Sequence, residues 1–78
     1  MITAKEFLNK IKWDKRENPK DYSIAYFDRI KGILIEIPYE VIEIEGDFII
    51  TIDGKNIPMH RIKQIKKNNK LVWERISL

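Results

Sequence analysis

Apolar residues near the start of the chain recur at intervals of three and four positions. They are Ala4, Phe7, Leu8 and Ile11. This spacing places one apolar stripe on an amphipathic helix, and Thr3 and Glu6 have the S/T-x-x-E spacing of a capping box at a helix start. Pro19 cannot continue the helix, because it lacks an N–H and forces Asn18 out of helical backbone space. We therefore predict a helix over about residues 4–12.

From residue 22 onward apolar and polar positions alternate, which is the period of β-strands. The alternating segments are residues 22–28, 33–37, 48–52 and 71–73. Asp53-Gly54 predicts a hairpin, because a type I′ turn needs positive φ at both central residues. The last segment is predicted to pair with residues 62–66 across Lys67, Asn68 and Asn69. The pattern predicts an α+β protein, with an N-terminal helix followed by a curled, mostly antiparallel sheet or a small barrel of about five to seven strands.

The chain resembles itself when it is shifted by 20 residues, since IPYEVI at 37–42 matches IPMHRI at 57–62. In both copies proline stands where a strand would lose a ladder hydrogen bond. We predict two similar strand–turn–hairpin units; the alternative is a chance match in an isoleucine-rich chain. The copies differ at Glu40-Val41 and His60-Arg61, so only the second carries side chains that suit an anion.

Length and composition exclude several classes of protein. The 78 residues predict a single domain, 1–78, with the helix at about 4–12 and a strand-rich body at about 22–76. Without cysteine, and with one histidine, the chain offers no disulfide and no thiolate zinc site. No metal or other cofactor is predicted. The absence of a signal-peptide pattern and of a long apolar run predicts a soluble, cytoplasmic protein that does not bind membranes.

The net charge of +3 conceals an uneven distribution along the chain. Residues 1–31 carry a net +3, residues 32–54 carry six acidic and no basic residues, and residues 55–78 carry a net +6. A phosphate-bearing partner would meet the basic final third first. The alternative interpretation is a charged surface that serves solubility.

Three places in the sequence combine side chains that suit nucleic acid. Arginine presents a planar fork of donors to phosphate, and a neighbouring histidine adds a donor or a titratable proton. An indole beside basic residues provides base stacking and phosphate neutralisation. The candidate RNA- and phosphate-binding residues are Trp13, Arg16, Arg29, His60 and Arg61, and the candidate orienting residues are Asp14 and Asp28.

Structural interpretations of the same residues stay open at this point. A histidine hydrogen-bonded in a turn, beside an arginine paired with an acid such as Asp28, would equally explain His60-Arg61. Trp13 would equally cover the core at the end of the helix. The tyrosines of the first predicted strand would pack in the core rather than stack on RNA.

Hydrolytic chemistry on RNA needs one group that accepts a proton and another that donates one. With His60 as its one histidine, a monomer cannot use a two-histidine mechanism, and its three glycines are scattered rather than gathered in a phosphate loop. The sequence therefore predicts a binding protein and not an enzyme. The alternative is a phosphoesterase that uses His60.

Four pieces of the sequence occur in a characteristic order. They are IKWDKRENP at 11–19, YFDR at 26–29, IPMHRI at 57–62 and WER at 73–75. This combination resembles a small, mainly archaeal family of unknown function that has been proposed to be an RNA cyclic group end recognition domain. The resemblance covers nearly the whole chain, and it implies recognition of RNA ends with a 2′,3′-cyclic phosphate in RNA repair or processing. Relatives often read Trp-Asp-Pro-Arg where this chain has Lys15, which implies a less rigid loop after the helix.

The resemblance assigns motif positions to Trp13, Asp14, Arg16, Asp28, Arg29, His60, Arg61 and Trp73. We expect the arginines to neutralise phosphates, His60 to contact the terminal phosphate and Trp13 to stack on a base. Such a site requires His60 and Arg16 to lie close together. RNA is thus the expected partner. The alternative is a protein-interaction adaptor that docks onto an RNA-processing enzyme through the acidic residues 32–54.

Overall fold

The computed structural model describes residues 2–75. One α-helix, α1, spans Ala4–Trp13, so it begins where the sequence predicts and ends one residue later. Thr3 Oγ1 accepts a hydrogen bond from the Glu6 backbone N–H at 3.1 Å, which is one half of the predicted capping box. The Glu6 carboxylate accepts from the Thr3 hydroxyl at 3.2 Å rather than from the Thr3 backbone. Within residues 2–75, no helix has both the length and the apolar character needed to cross a membrane.

Within residues 2–75, seven strands follow the helix. They are β1 (Tyr22–Asp28), β2 (Ile33–Pro38), β3 (Glu43–Glu45), β4 (Phe48–Ile50), β5 (Asn56–Pro58), β6 (Ile62–Lys67) and β7 (Lys70–Glu74). They form a four-stranded sheet in the order β2-β1-β6-β7 and a three-stranded sheet in the order β3-β4-β5, with antiparallel neighbours throughout. The predicted α+β class is confirmed, and across residues 2–75 the two sheets do not close into a barrel. The predicted end of the strand-rich body, at about residue 76, lies outside the described residues.

The two hairpin turns marked by the sequence differ in geometry. Asn68 and Asn69 connect β6 to β7 with φ of +50° and +68°, the two positive values that a type I′ turn requires. The hairpin predicted at Asp53-Gly54 is confirmed by the antiparallel pairing of β4 and β5. Its type I′ turn is wrong, because only Gly54 of the two residues has a positive φ, at +84°. A wider loop forms there instead. The Thr51 N–H donates to the Lys55 carbonyl at 3.0 Å, and Thr51 Oγ1 accepts from the Lys55 N–H at 3.1 Å.

The chain passes between the two sheets at two short 3₁₀-helices of similar shape. The first crossover turn (Tyr39–Val41) leads from β2 to β3, and the second crossover turn (Met59–Arg61) leads from β5 back to β6. The prolines before them have nearly the same φ and ψ, −65° and 142° in the first and −61° and 144° in the second. Their first residues, Tyr39 and Met59, are both buried. The two crossover turns therefore have similar backbones, and each leads from a strand into a hairpin, β3–β4 after the first and β6–β7 after the second. The two hairpins belong to different sheets.

The core gathers side chains from α1 and from both sheets. Its fully buried large side chains are Leu8, Ile11, Ile24, Ile49, Ile62 and Ile65. The Tyr39 hydroxyl donates to the Leu8 carbonyl at 2.9 Å, which ties the first crossover turn to the helix. The strand predicted over 48–52 ends at Ile50, so Ile52 lies in the loop and is 84% exposed, whereas Ile49 is 0% exposed.

Candidate functional site

A cleft of about 600 Å³ opens where the end of β1 meets β5 and the second crossover turn. It is lined by Tyr26, Phe27, Asp28, Arg29, Ile30, Lys55, Asn56, Ile57 and Arg61. We call it the arginine cleft. Its size suits a small ligand or the terminal nucleotide of a longer chain, since ligand sites in proteins occupy about 300–1,000 Å³.

Basic side chains outnumber acidic ones in the arginine cleft. Its lining contains three basic residues, Arg29, Lys55 and Arg61, and one carboxylate, that of Asp28. Within the described part of the chain, neither arginine belongs to an ion pair. Arg61 is half-buried, so solvent screens its charge less than that of a fully exposed side chain. Lys55 Nζ lies 4.0 Å from Asp53 Oδ2, an exposed pair of the kind that contributes little. The cleft therefore presents an excess of positive charge to an anion.

Asp28 shapes the turn that carries Arg29. Its Oδ1 accepts hydrogen bonds from the backbone N–H groups of Ile30 at 2.9 Å and Lys31 at 3.0 Å. These bonds, that of Lys31 foremost, hold the pKa of Asp28 below its ordinary value. The carboxylate thus acts on the backbone around Arg29, and a direct orienting contact from Asp28 to an arginine side chain stays a prediction.

Asp28→Asn is expected to destabilise the protein at neutral pH and to have a smaller effect in acid. The pKa of this carboxylate is lower in the folded protein than in the unfolded chain. The ionised carboxylate therefore stabilises the folded protein at every pH above the unfolded-state pKa, and this stabilisation is lost as the pH falls through the folded-state pKa. The ordinary value is 3.8, so the difference between wild type and variant should be constant near neutral pH and shrink below that value. Urea unfolding of both proteins from about pH 7 to about pH 3 measures it. A difference that stays the same over this range would contradict a role for the charge.

His60 lines a different cleft, of about 440 Å³, beside the start of α1. Its other lining residues are Thr3, Ala4, Lys5, Asp47, Met59 and Arg75. Arg75 fastens the second crossover turn, because its Nε donates to the Ile62 carbonyl and its Nη2 to the Met59 carbonyl, both at 3.1 Å. Sequence reasoning missed this role of Arg75. The signal is the WER piece at 73–75, in which the resemblance assigns a motif position only to Trp73.

Trp13, Asp14 and Arg16 lie at the end of α1. Trp13 is 75% exposed, so it does not cover the core. Asp14 Oδ1 accepts from Arg16 Nε at 3.1 Å and Asp14 Oδ2 accepts from Arg16 Nη2 at 3.2 Å. The hydrogen bonds from Arg16 lower the pKa of Asp14, so the carboxylate stays ionised and holds a guanidinium whose side chain is 89% exposed.

The remaining aromatic candidates pack inside the protein. Tyr22 and Tyr26 are 6% and 7% exposed, so they belong to the core and do not form a stacking platform on β1. Trp73 is half-buried against the core, and its Nε1 donates to the Ile2 carbonyl at 2.8 Å. Trp73 therefore ties the start of the chain to β7.

The predicted site residues fall into three places rather than one. The arginine cleft brings together Asp28, Arg29 and Arg61, and it adds Lys55 and Asn56. His60 lies beside the first residues of α1, whereas Arg16 follows its last residue. The ends of this ten-residue helix are roughly 13 Å apart at 1.5 Å per residue. The arrangement that requires His60 next to Arg16 is therefore not assembled, and the roles of the individual residues stay predictions.

Half of the acidic residues in 32–54 pair with bases of the same chain. Glu36 pairs with Lys66 and Asp47 with Lys5, both at 3.0 Å, and Asp53 lies near Lys55. Fewer carboxylates are thus available to a basic partner than the sequence suggests, and the adaptor alternative stays a prediction. Among residues 2–75, no group of three histidine or acidic side chains is placed to hold a metal ion.

Comparison with known proteins finds relatives along nearly the whole chain. Residues 1–75 match the family model described as the MJ1316 RNA cyclic group end recognition domain. A UPF0248 protein from Metallosphaera sedula is 37% identical over 77 residues, which cover 97% of this chain and 96% of the relative. A UPF0248 protein from Pyrococcus abyssi is 45% identical over 74 residues, which cover 92% of this chain and 88% of the relative. No solved structure matches the chain.

Proposed function

Because the chain belongs to the family of RNA cyclic group end recognition domains, we propose that it binds RNA ends that carry a 2′,3′-cyclic phosphate. In this proposal the terminal phosphate binds in the arginine cleft, and the protein acts in RNA repair or processing. The observation that carries the proposal is the convergence of Arg29, Lys55 and Arg61 on one cleft, with Asp28 as its one carboxylate.

The donors of the arginine cleft match the acceptors of a cyclic phosphate. This group is a monoanion that shares its charge between two oxygens outside the ring, and a guanidinium presents two parallel N–H donors to such a pair. Arg61 is the best placed for this contact, because it is half-buried at the second crossover turn. The Asn56 amide adds a neutral donor and acceptor to the same lining for the ribose or its base.

The apolar part of the lining favours a cyclic phosphate over a linear one. Half-buried Phe27 and buried Ile57 share the cleft with the basic residues. At neutral pH a linear 3′-phosphate carries more negative charge than a cyclic phosphate. It therefore loses more hydration free energy than the cyclic phosphate on entering a partly apolar cleft, because burial of a charge costs more as the charge increases. A 3′-hydroxyl end brings no charge to the arginines.

The proposed activity is binding without turnover. Ring opening needs a group that takes a proton from water and another that gives one to the leaving oxygen. Among the residues that line the arginine cleft, the carboxylate of Asp28 is engaged by two backbone N–H groups, and His60 lies in the neighbouring cleft. A contact between His60 and the terminal phosphate stays a prediction, which His60→Ala tests.

Binding of matched short RNAs that differ only in their 3′ end tests the proposal. Fluorescence anisotropy gives Kd for cyclic-phosphate, linear-phosphate and hydroxyl ends at two salt concentrations. We expect the tightest binding for the cyclic phosphate and a negative log–log salt slope, because phosphate contacts release counterions. Equal affinity for the three ends would contradict end recognition, and a slope near zero would contradict phosphate contacts. A mass change of the cyclic-phosphate RNA during incubation would favour the phosphoesterase alternative.

A further inference from the structure

An exposed indole lies outside the arginine cleft. Trp13 is 75% exposed, although tryptophan carries a large apolar surface that folding ordinarily removes from water. Lys12 Nζ lies 5.6 Å from the centre of its ring, and Arg16 follows in the same loop. A flat ring with basic neighbours can stack on a nucleobase while the cations neutralise the adjacent phosphate.

Trp13, the last residue of α1, and the four residues after it are here together called the Trp13 loop, and this segment is fastened to the body of the protein. Glu17 Oε2 accepts hydrogen bonds from the Tyr22 hydroxyl and from Lys67 Nζ, the latter at 3.2 Å. Burial and the bond to Glu17 raise the pKa of Tyr22 to about 12, and the same two donors lower the pKa of Glu17. At neutral pH the hydroxyl therefore stays protonated and the carboxylate ionised. These contacts fix the end of the loop at Glu17, four residues after Trp13.

The Trp13 loop and the arginine cleft lie at opposite ends of β1. The loop is fastened to Tyr22, the first residue of β1, whereas Asp28, its last residue, lines the cleft. At about 3.3 Å per residue these ends are roughly 20 Å apart. β6 runs beside β1 over most of this length, and its lysines are Lys63, Lys66 and Lys67. Lys66 pairs with Glu36 and Lys67 with Glu17, so among these lysines Lys63 supplies the charge that no carboxylate of the described residues pairs with.

We propose that the protein contacts RNA at two points. The arginine cleft takes the terminal phosphate, and Trp13 with Arg16 takes a base and a phosphate farther along the same strand. This inference rests on the proposed function, and it adds single-stranded RNA of a minimum length to the description of the ligand. At 3.4 Å per stacked nucleotide, a span of roughly 20 Å needs about six nucleotides. Shorter RNA reaches only the cleft, and longer RNA reaches both places.

A length series of RNAs that end in a 2′,3′-cyclic phosphate tests the proposal. Oligoadenylates of about three and about ten nucleotides lie on either side of the expected span. For the wild-type protein we expect the longer RNA to bind roughly tenfold more tightly, the gain from one stacked base. Trp13→Ala and Arg16→Met should each remove most of this gain, and each should change the affinity for the shorter RNA by at most about twofold.

Exposure makes these two substitutions safe for the fold, since Trp13 is 75% exposed and the Arg16 side chain 89% exposed. Phe48→Ala is the matched control, because it removes an aromatic ring that is 47% exposed elsewhere, and it should keep the gain. A wild-type protein without the gain, or a gain kept by both loop variants, would contradict two-point binding and leave end recognition intact. Short RNAs that bind equally with cyclic-phosphate and hydroxyl ends would instead contradict the proposed function.

Discussion

Replacing Arg61 with methionine is expected to weaken binding of RNA that ends in a cyclic phosphate by roughly 10- to 150-fold. A charge-assisted contact contributes about 1.5–3 kcal/mol, which corresponds to that range of Kd. Methionine keeps an apolar stem of similar reach and removes the guanidinium, so the half-buried position stays filled. Fluorescence anisotropy with a short cyclic-phosphate RNA measures the change, and a thermal melt checks that the variant is folded.

Lys70→Met is the matched control for the Arg61 variant. It removes one positive charge from the same basic third of the chain, at an exposed position outside the arginine cleft. Its effect should be at most about twofold, through weaker general attraction of the RNA. Arg61→Lys keeps the charge and loses the planar fork, so an intermediate loss is expected. Equal losses for Arg61→Met and Lys70→Met would show that only net charge matters.

The largest effect on stability is expected for Ile49→Ala, which should lower the free energy of unfolding by about 2–5 kcal/mol. Ile49 is 0% exposed and pairs with Ile44 of β3 and Ile57 of β5. Alanine would leave a cavity at the centre of the three-stranded sheet. Ile52→Ala is the same chemical change at a position that is 84% exposed, so it should change stability by no more than about 0.5 kcal/mol.

Urea unfolding of the wild type and both isoleucine variants measures the contrast. The apolar residues 48, 50 and 52 alternate on one face of this segment, and Ile49 lies on the other. A shift of one residue exchanges the two faces, so the sequence pattern is also compatible with burial of the face that carries residues 48, 50 and 52. If Ile52→Ala lowered the free energy of unfolding as much as Ile49→Ala, the buried face would be the one that carries Ile52 and not the one that carries Ile49. It would contradict the described core.

The helix was predictable from sequence because its determinants are local. The cap needs only Thr3 and Glu6, and the buried stripe of α1 repeats at helical spacing. The Asn68-Asn69 turn was predictable for the same reason. The Asp-Gly loop was not, because Thr51 forms hydrogen bonds across it to Lys55 and these compete with a tight turn.

The candidate site was only partly predictable, because neighbours in sequence diverge in space. His60 and Arg61 were expected to act together, but a 3₁₀-helix has three residues per turn, so successive side chains point roughly 120° apart. In the second crossover turn Met59 is buried, His60 is exposed and Arg61 is half-buried. His60 and Arg61 therefore line different clefts.

Sequence reasoning missed Lys55 and Asn56 because residues that are distant in sequence meet in space. They join Arg29 and Arg61 in the arginine cleft because the β4–β5 hairpin brings them there. A lysine after a glycine in a loop looks like any solvated lysine of a basic chain. The signal lies in the packing of this hairpin against the end of β1, which belongs to the other sheet, and a single sequence does not reveal it.

The most direct measurement is the ratio of two dissociation constants, Kd for an RNA with a 3′-hydroxyl end over Kd for the same RNA with a cyclic-phosphate end. If the arginine cleft holds the terminal phosphate, the wild-type protein gives a ratio well above one. Arg61→Met then brings the ratio close to one and leaves the affinity for the hydroxyl end nearly unchanged. A ratio that Arg61→Met does not alter, with both affinities reduced equally, would place Arg61 on the RNA backbone and contradict recognition of the RNA end in this cleft.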